Sequence, residues 1–463
     1  MTCTTLGDQA LLVEVGTEAA EHALARVLQI AAAVRAASWP WVREIVTGPA
    51  SLALMLTDDA SCLTVGTQLE QLLRSLPVET AHVSGRERDV PVCYDQEFGL
   101  DLVYAATRAR VTVEQLVKLH TQPTYRVHAV GFSPGFPYLL GLPDVLHLPR
   151  RPSPRTRVPA GSVGIGGQQT GIYPLETPGG WQIIGRTPRL LFEPLAAEPA
   201  WLQPGDRVRF HAISREEHER WAAATEEARR ASLPVSPARA TGAAIEVVRP
   251  GIQTTVQDTG RFGWQAHGVP ISGAVDALTL RVANRLVGNA PDAAGLEWAV
   301  RGPVLKFNVE AAVAILGAEP AAIAAGRPQL VRAGDILDLT HLRRGHRGYL
   351  AIGGGIDVPV VLNSRSTCLA GRFGGYRGRP LRAGDQLHLG EPPVVAIRSG
   401  WSVHLPWLDR TDGDSIVRIV RGPHTNQFGS LAWRVLTEAR FQVRAESDRM
   451  GLRLAGATLR RGT

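Results

Sequence analysis

The segment between Arg155 and Thr187 contains eight glycines, with uncharged polar side chains and arginines among them. Glycine lets the backbone approach a ligand closely and adopt a positive φ, at an entropic cost on folding. We therefore predict that the segment shapes a pocket of backbone amides and carbonyls for a small polar or anionic ligand. Tight turns between barrel strands explain the glycines equally well. The side chains that would serve such a pocket are Arg157, Ser162, Gln169, Thr170 and Arg186.

An aromatic motif precedes this segment and reads Gly-Phe-Ser-Pro-Gly-Phe-Pro-Tyr from residue 131 to residue 138. We expect Phe132 and Phe136 to pack into a core. We expect Tyr138 to face a ligand, because its hydroxyl needs a hydrogen-bond partner. The isolated His120 is predicted to cap the C-terminus of a helix, and neither it nor His128 is a candidate base.

Four arginines lie between the aromatic motif and the glycines, where prolines keep the chain from forming a helix. Arginine binds carboxylate and phosphate through a planar fork of donors. The four therefore fit either a solvated basic strand or a clamp for an anion. They are Arg150, Arg151, Arg155 and Arg157. The sequence has no Gly-Lys-Ser/Thr phosphate loop, so a nucleotide site would be of another type.

The second half of the chain has polar side chains at glycine turns. Each short motif is a weak signal alone. A buried pair of Asp258 with Arg261, or of Asp448 with Arg449, fits a structural brace as well as a site. The combined density of Gly, Arg, Asp and Ser nevertheless exceeds what plain turns need.

Composition narrows the class of protein. A chain of 463 residues predicts two to four domains. The net charge is +7, but no dense basic run with aromatic residues appears, which argues against nucleic-acid binding. The four cysteines stand far apart, which argues against a zinc site or a disulfide framework and favours a reducing compartment. With no signal peptide and no apolar run of membrane-spanning length in the sequence, we expect a cytoplasmic protein.

The elements that position these residues are short strands and a few helices, so we predict a β-rich α+β fold. Strands at 9–16 and 50–56 with helices at 18–37 and 60–76 form a small α/β domain over residues 1–85. A strand near Val90 and a capped helix from Thr112 open a barrel over 86–213. A charged helix from Ser214 and a Pro/Ala linker span 214–244, and a β-rich region covers 245–463.

A Gly-Asp turn recurs before an alternating strand at Asp206, Asp335 and Asp385. The repeat predicts related β-barrel units on both sides of the linker. The three aspartates are interpreted as turn formers and not as catalysts.

Residues 1–213 resemble the allophanate hydrolase subunit 1 family, which includes the B subunit of 5-oxoprolinase and the sporulation kinase inhibitor. The motifs that carry the resemblance are the aromatic motif, Val158-Pro-Ala-Gly-Ser-Val, Gln169-Thr-Gly-Ile-Tyr-Pro, Pro178-Gly-Gly-Trp and Ile184-Gly-Arg-Thr-Pro.

Residues 245–463 resemble the family of the 5-oxoprolinase C subunit, which is also called the biotin-dependent carboxyltransferase or allophanate hydrolase subunit 2 family. The matching motifs are Thr254-Thr-Val-Gln-Asp-Thr-Gly-Arg, Gly273-Ala-Val-Asp, Asn284-Arg-Leu-Val-Gly-Asn, Leu296-Glu, Ala351-Ile-Gly-Gly-Gly-Ile, Ser364-Arg-Ser-Thr and Ser447-Asp-Arg-Met-Gly. Together the two resemblances imply a fused B–C protein with cyclophilin-like β-barrels. Members of the C family continue further after the last motif, so we expect the final barrel here to lack strands and to leave an open edge.

The resemblance implies ATP-dependent opening of 5-oxo-L-proline to L-glutamate with a separate A subunit, using ATP with Mg²⁺. On this reading Asp258, Glu297 and Asp448 are the catalytic candidates. The remaining candidates bind substrate or ATP; they are Tyr138, Arg155, Arg157, Ser162, Gln169, Thr170, Arg186, Arg261, Arg365 and Ser366.

Two other functions stay open. One is carboxyl transfer from carboxybiotin to urea; because the chain has no Met-Lys-Met biotinylation motif, the biotin would arrive on a separate protein. The other is a binding module that inhibits a histidine kinase. A homo-oligomer is left open as well.

Overall fold

The structure is a computed structural model that divides the chain into two compact units. Unit 1 consists of residues 1–46, 50–79 and 416–463, and unit 2 of residues 47–49 and 80–415. The residues that the structure describes are 1–16, 20–77, 85–232, 244–392, 400–405, 417–422, 424–447, 449 and 451–461. Asp448 and most of the predicted linker, 233–243, lie outside the described residues.

A four-stranded antiparallel sheet in the order β1-β2-β4-β3 forms the N-terminal part of unit 1. Alternate residues of β4 are buried, and Leu52, Leu54 and Leu56 pack against the two helices, as the period of a half-buried strand requires. The predicted strands and helices are thus confirmed. Their bounds are β1 Thr2–Thr5, β2 Ala10–Glu14, α1 Ala20–Ala37, β3 Val42–Thr47, β4 Ser51–Leu56 and α2 Cys62–Ser75.

Residues 85–213 of unit 2, here called the first module, form a seven-stranded sheet in the order β12-β9-β10-β7-β6-β13-β5 and a two-stranded sheet of β8 with β11. Strand β13 pairs with β5 in parallel, and helices α3 and α4 contact β12 and β13 respectively. The bounds are β5 Glu87–Val92, α3 Leu102–Ala109, α4 Val113–Thr121, β6 Thr124–Val130, β7 Pro137–Leu140, β8 Arg155–Val158, β9 Ser162–Gly166, β10 Gln169–Ile172, β11 Thr177–Gly179, β12 Gln182–Arg186 and β13 Arg207–Ala212.

Helix α4 is preceded by the capping residue that the sequence predicts, Thr112. The Thr112 hydroxyl accepts a hydrogen bond from the Gln115 N–H at 3.2 Å, and the Gln115 side chain accepts one from the Thr112 N–H at 2.9 Å. This reciprocal pair satisfies two donors that a helix N-terminus leaves unbonded. The predicted charged helix is also confirmed, as α5 Arg215–Ser232.

Residues 244–405, here called the second module, contain a four-stranded sheet (β21-β17-β14-β24), a five-stranded sheet (β15-β16-β23-β18-β20) and the pair β19-β22. Trp298, Leu305 and Leu350 are fully buried in its core. The bounds are β14 Ile245–Arg249, β15 Gln253–Gln257, α6 Ala277–Leu286, β16 Gly295–Ala299, β17 Val304–Phe307, β18 Ala311–Leu316, β19 Glu319–Pro320, β20 Pro328–Val331, β21 Ile336–Asp338, β22 Leu342–Arg344, β23 Arg347–Ile352 and β24 Gln386–Leu387.

The C-terminal part of unit 1 adds α7 Ser430–Glu438 and the antiparallel pair β25 Phe441–Val443 and β26 Leu454–Gly456. Across the described residues the chain is a β-rich α+β protein, as the sequence predicts. None of the described helices has the length and apolar character needed to cross a membrane.

The three Gly-Asp turns share one hydrogen bond, which confirms their interpretation as turn formers. In each turn the aspartate accepts the backbone N–H of the residue three positions earlier. Asp206 accepts from Gln203 at 3.0 Å, Asp335 from Arg332 at 2.8 Å and Asp385 from Arg382 at 2.7 Å. Each turn leads directly into a strand: β13, β21 or β24.

We expect Asp385→Asn to lower the free energy of unfolding by about 2 kcal/mol at neutral pH, because Arg379 also donates two hydrogen bonds to this carboxylate at 2.7 and 2.8 Å. Burial raises the pKa of Asp385, but the hydrogen bonds from Arg379 and the Arg382 N–H outweigh it and hold the pKa below its ordinary value of 3.8. The stabilisation is therefore complete above that ordinary value and is lost as the pH falls through the lower folded pKa.

Urea denaturation of both proteins from neutral pH to about pH 3 measures this difference. A gap between Asp385→Asn and the unsubstituted protein that stays constant on acidification would contradict the assignment.

Candidate active site

The two modules of unit 2 meet at a junction that contains hydrogen bonds, an ion pair and packed rings. The Gly135 N–H donates to the His267 carbonyl at 2.8 Å, and Arg372 pairs with Glu176 at 2.8 Å. A side chain at Gly268 would bring a Cβ within 2.6 Å of the Ser133 carbonyl oxygen, so the close approach of the two backbones requires glycine there.

An apolar cluster continues this junction. Phe192 of the first module lies 5.6 Å from Phe373 of the second, measured between ring centroids. Buried side chains of the second module surround the two rings; they are Val269, Val361, Leu362 and Cys368. The junction is therefore a packed interface of two modules within one compact unit.

Beside the junction, Asp258 holds the loop that contains Ser364, Arg365 and Ser366. Its carboxylate accepts the Ser364 hydroxyl at 2.8 Å, the Arg365 N–H at 2.5 Å and the Gly260 N–H at 2.8 Å. The Ser366 hydroxyl also donates to it. With 7% of its surface exposed, Asp258 has its acceptor positions taken by these donors, so the described contacts make it the anchor of the loop.

Arg261 lies next to this loop and is fully buried. Its Nη2 donates to the Ser366 carbonyl, and its guanidinium carbon lies 4.9 Å from the centre of the Phe373 ring. Its Nε and Nη1 are buried without a hydrogen-bond partner among the described residues. Burial lowers the pKa of Arg261, and Cys368 and Asp258 oppose this shift. Arg261 is thus a buried cation with unused donors.

Glu297 is 2% exposed and lies in β16. It forms an ion pair with Arg347 at 2.8 Å and accepts the Val275 N–H at 2.8 Å. The neighbouring Ala274 N–H donates to the Asp258 carbonyl at 2.8 Å. One turn therefore connects Glu297 to the Asp258 cluster, so the structure brings Asp258, Arg261, Glu297, Arg365 and Ser366 into one region.

The aromatic motif of the first module is only partly a core element. Phe136 is buried, as predicted, and Tyr138 is half-buried beside it. The prediction that Phe132 packs into a core is wrong, because 63% of its surface is exposed. Its backbone has a φ of +67°, a left-handed conformation that is uncommon outside glycine and that turns the chain between β6 and β7.

Much of the glycine content near Trp181 is explained by packing. A Cβ at Gly166 would lie 2.5 Å from the indole nitrogen of Trp181, and one at Gly171 would lie 2.9 Å from its ring carbon. These glycines leave room for the indole, which is 5% exposed and contacts Phe136 and Tyr138. At these two positions the structure favours packing between strands over a pocket of backbone amides.

The polar side chains of the glycine segment are largely turned inward. Thr170 Oγ1 lies 3.0 Å from His120 Nε2, and the Tyr94 hydroxyl lies 2.7 Å from His120 Nδ1. Gln169 contacts His128 at 3.0 Å, and the buried Ser162 hydroxyl has no hydrogen-bond partner among the described residues.

His120 lies in the last turn of α4, but the prediction that it caps the helix as a cation is wrong. The ring is fully buried, and burial lowers the pKa of His120 to about 3. The imidazole is therefore neutral at physiological pH and contributes hydrogen bonds to the core in place of a charge at the helix end.

The predicted anion clamp of the first module already contains a protein carboxylate. Asp101, 5% exposed, accepts two hydrogen bonds from Arg155 at 2.8 and 2.7 Å and one from Arg151 at 3.0 Å. Asp101 was not a sequence candidate, because it lies about fifty residues before its partners.

Three other predicted arginines also have partners on the protein. The exposed Arg157 pairs with Glu176 at 2.5 Å. Arg186 lies over the Phe98 ring at 5.0 Å. Arg365 donates from Nε to the Val358 carbonyl at 3.1 Å. Among the residues that the structure describes, no three His, Cys, Asp or Glu side chains are grouped as metal ligands, and all four cysteines are free.

Comparison with protein families places this architecture. Residues 1–202 match the family described as carboxyltransferase domain, subdomain C and D, and residues 267–463 match carboxyltransferase domain, subdomain A and B. The chain therefore joins two modules of the carboxyltransferase-domain class. A crystal structure of the protein TTHA0988 superposes with a TM-score of 0.80 at 35% identity, covering 97% of this chain and 87% of that one.

Curated relatives narrow the class further. The chain is 41% identical over 209 residues to the B subunit of 5-oxoprolinase from Escherichia coli O157:H7 (45% of this chain, 94% of the relative). It is 35% identical over 225 residues to the C subunit of 5-oxoprolinase from E. coli K12 (47% of this chain, 71% of the relative). The chain belongs to the families of these two 5-oxoprolinase subunits, joined in one polypeptide.

Part of the chain is also similar to urea amidolyase of Saccharomyces cerevisiae, with 42% identity over 227 residues. This match covers 46% of this chain and 12% of that enzyme.

We expect Asp101→Ala to lower the free energy of unfolding by about 3 kcal/mol, because it leaves Arg151 and Arg155 without their shared, largely buried carboxylate. Glu176→Ala serves as the comparison, since it removes ion pairs whose arginines are exposed and is expected to destabilise the protein much less. Urea denaturation measures both. Equal destabilisation by the two variants would contradict the central role assigned to Asp101.

Proposed function

We propose that this protein is the B/C component of an ATP-dependent 5-oxoprolinase, which opens the lactam of 5-oxo-L-proline to L-glutamate together with a separate A subunit. The observation that carries the proposal is the junction, where a B-type and a C-type module meet beside the buried Asp258–Arg261–Glu297 region. Relatives named as subunits of 5-oxoprolinase support it on both halves of the chain.

The chemistry explains the need for ATP. A five-membered lactam is an unactivated amide, which neutral water attacks poorly. Transfer of the γ-phosphoryl group of ATP to the lactam oxygen releases ADP and creates a leaving group. Water then attacks the same carbon, and the ring C–N bond of the adduct breaks as the nitrogen takes up a proton, which leaves an acyl phosphate. A second water hydrolyses this acyl phosphate to glutamate and inorganic phosphate. The protein must supply donors for the developing negative charge and a base for water.

Within this proposal the second module binds the lactam. Arg261, Arg365 and Ser366 are its binding residues, and the loop that carries the last two is set by Asp258. Glu297 is the proposed base, because its carboxylate is fixed by Arg347 and the Val275 N–H close to the same turn. Asp258, predicted as catalytic, is here a positioning residue because its acceptor positions are taken, and Asp448, outside the described residues, stays a catalytic candidate.

The first module supplies binding residues on the other side of the junction. Tyr138 is the best placed of these, since it is half-buried in the aromatic cluster that follows the Gly131–Gly135 loop. Arg155 forms an ion pair with Asp101, and Arg157 forms one with Glu176. A ligand that recruits Arg155 or Arg157 has to compete with these carboxylates. The secondary candidates for binding in this module are Ser162, Gln169, Thr170 and Arg186.

The proposal also includes a second substrate, a partner protein and a fold type. Mg²⁺-ATP is the second substrate, the partner is a protein similar to the A subunit of 5-oxoprolinase, and the curled sheets of both modules are cyclophilin-like. The free cysteines fit a reducing compartment, for which we propose the bacterial cytoplasm.

Carboxyl transfer to urea is the second candidate, and the similarity to urea amidolyase favours it. The two functions differ in products. Lactam opening yields ADP in proportion to added 5-oxoproline, whereas carboxyl transfer requires urea and a biotinylated carrier.

Co-purification with a homologue of the A subunit, followed by an assay of ADP release, tests the proposal. We expect release that depends on 5-oxo-L-proline and is absent with urea. Glu297→Gln should reduce the rate by about 100-fold or more, as loss of a general base does. Glu310→Gln, at an exposed glutamate, is the matched control and should leave the rate unchanged.

Complexes in which no variant, including the unsubstituted chain, releases ADP on addition of 5-oxoproline would overturn the proposed function. Urea-dependent consumption of carboxybiotin by the same preparation would establish the second candidate in its place.

A further inference from the structure

In the described part of the chain, Arg261 has no carboxylate partner, in contrast to three half-buried arginines of unit 2. Arg379 binds Asp385 through two hydrogen bonds, Arg155 binds Asp101 in the same way, and Arg347 binds Glu297. Arg261 is more deeply buried than any of these, yet among the described residues its guanidinium makes a single hydrogen bond, to the Ser366 carbonyl. A buried cation normally requires an anion to offset its desolvation.

The nearest candidate anion on the protein is already in use. The Asp258 carboxylate accepts hydrogen bonds from two hydroxyls and two backbone N–H groups of residues 260 and 364–366. No ion pair joins it to Arg261 among the described residues. The charge of Asp258 still attracts Arg261, but its carboxylate provides no acceptor for the Nε and Nη1 donors.

The surroundings of the guanidinium are lined by glycine where a side chain would intrude. A Cβ at Gly374 would lie 2.6 Å from Nη2 of Arg261, and Gly374 has a φ of +67°. Gly260, which precedes Arg261, has a φ of +105°. Both backbones are in the left-handed region that glycine adopts without strain. At Gly374 the chain thus brings backbone, and no competing side chain, up to the guanidinium, whereas a Cβ at Gly260 would meet Ile271 and Ser272.

We propose that Arg261 is the receptor for an oxyanion of the ligand bound in the second module. The anion supplies the acceptors that the Nε and Nη1 donors lack. This inference rests on the proposed function for the identity of the ligand, in which two groups have the required chemistry: the carboxylate of 5-oxo-L-proline and the phosphoryl group.

An anion receptor at Arg261 has a consequence for substrate choice. Urea and simple lactams are neutral, and either would offer the Nε and Nη1 donors of Arg261 only an uncharged acceptor. 5-Oxo-L-proline carries a carboxylate on the ring carbon next to nitrogen. A site organised around Arg261 therefore favours an anionic lactam over a neutral amide of the same reactivity.

Binding to the full chain tests this directly. Equilibrium dialysis with radiolabelled 5-oxo-L-proline, and separately with inorganic phosphate, identifies the source of the anion. At least one of the two should bind to the unsubstituted protein and bind about 100-fold more weakly to Arg261→Met. Arg261→Lys, which keeps the charge, should recover part of the loss. Arg301→Met, at an exposed arginine, should bind like the unsubstituted protein.

Competition and thermal unfolding separate a receptor from a structural brace. 2-Pyrrolidinone, which has the lactam but no carboxylate, should fail to displace 5-oxo-L-proline. Arg379→Met breaks an ion pair and should lower the Tm of the apo protein, whereas Arg261→Met should lower it much less. Ligand should raise the Tm of the unsubstituted protein and leave that of Arg261→Met unchanged.

Two results would overturn the inference: binding of both anions that is unaffected by Arg261→Met, or displacement of 5-oxo-L-proline by 2-pyrrolidinone at equal concentration. Full lactam-dependent ADP release by an Arg261→Met complex also overturns it while leaving the proposed function intact. Arg261-dependent anion binding by a chain whose complex shows no such ADP release would support the inference and reject the proposed function.

Discussion

The carboxylate of Asp258 is the interaction on which the geometry of the second module most depends. It lies directly after β15 and receives hydrogen bonds from a loop more than one hundred residues later in the chain. Because those donors include backbone N–H groups, the loop has one register relative to the sheet. The positions of Ser366 and Arg261 follow from that register, since the Ser366 carbonyl is the acceptor for Arg261. A single side chain, Asp258, thus fixes the position of the loop at residues 364–366.

The two modules balance their charges differently. In the first module three arginines of the predicted anion clamp, Arg151, Arg155 and Arg157, already have carboxylate partners in Asp101 and Glu176. In the second module Glu297 is matched by Arg347, and Asp258 by neutral donors. Arg261 is then left over. The contrast explains why the density of arginine in the sequence is a poor guide to binding, whereas a buried arginine with no carboxylate partner is informative.

The sequence predicts the structure best where the determining contacts are local. The capping box at Thr112 and the hydrogen bond within each Gly-Asp turn span three residues, and the alternation of β4 is visible in Leu52, Leu54 and Leu56. Prediction fails where the partner is distant. Nothing near Asp101 in sequence shows that two arginines of a later loop will reach it, and the glycines around Trp181 are explained by a ring that arrives from another strand. The exposure of Phe132 is set by one backbone angle, which its hydrophobic character does not reveal.

The hydrogen bond between Gly135 and His267 also determines how the junction responds to dilution. Both partners belong to the same polypeptide, so the junction closes intramolecularly, and its occupancy does not change when the protein is diluted. Separate subunits of equal affinity would dissociate at low concentration, and unequal amounts of the two would leave one subunit in excess. Here one copy of each module is always present, and any third component meets a surface that has already been assembled.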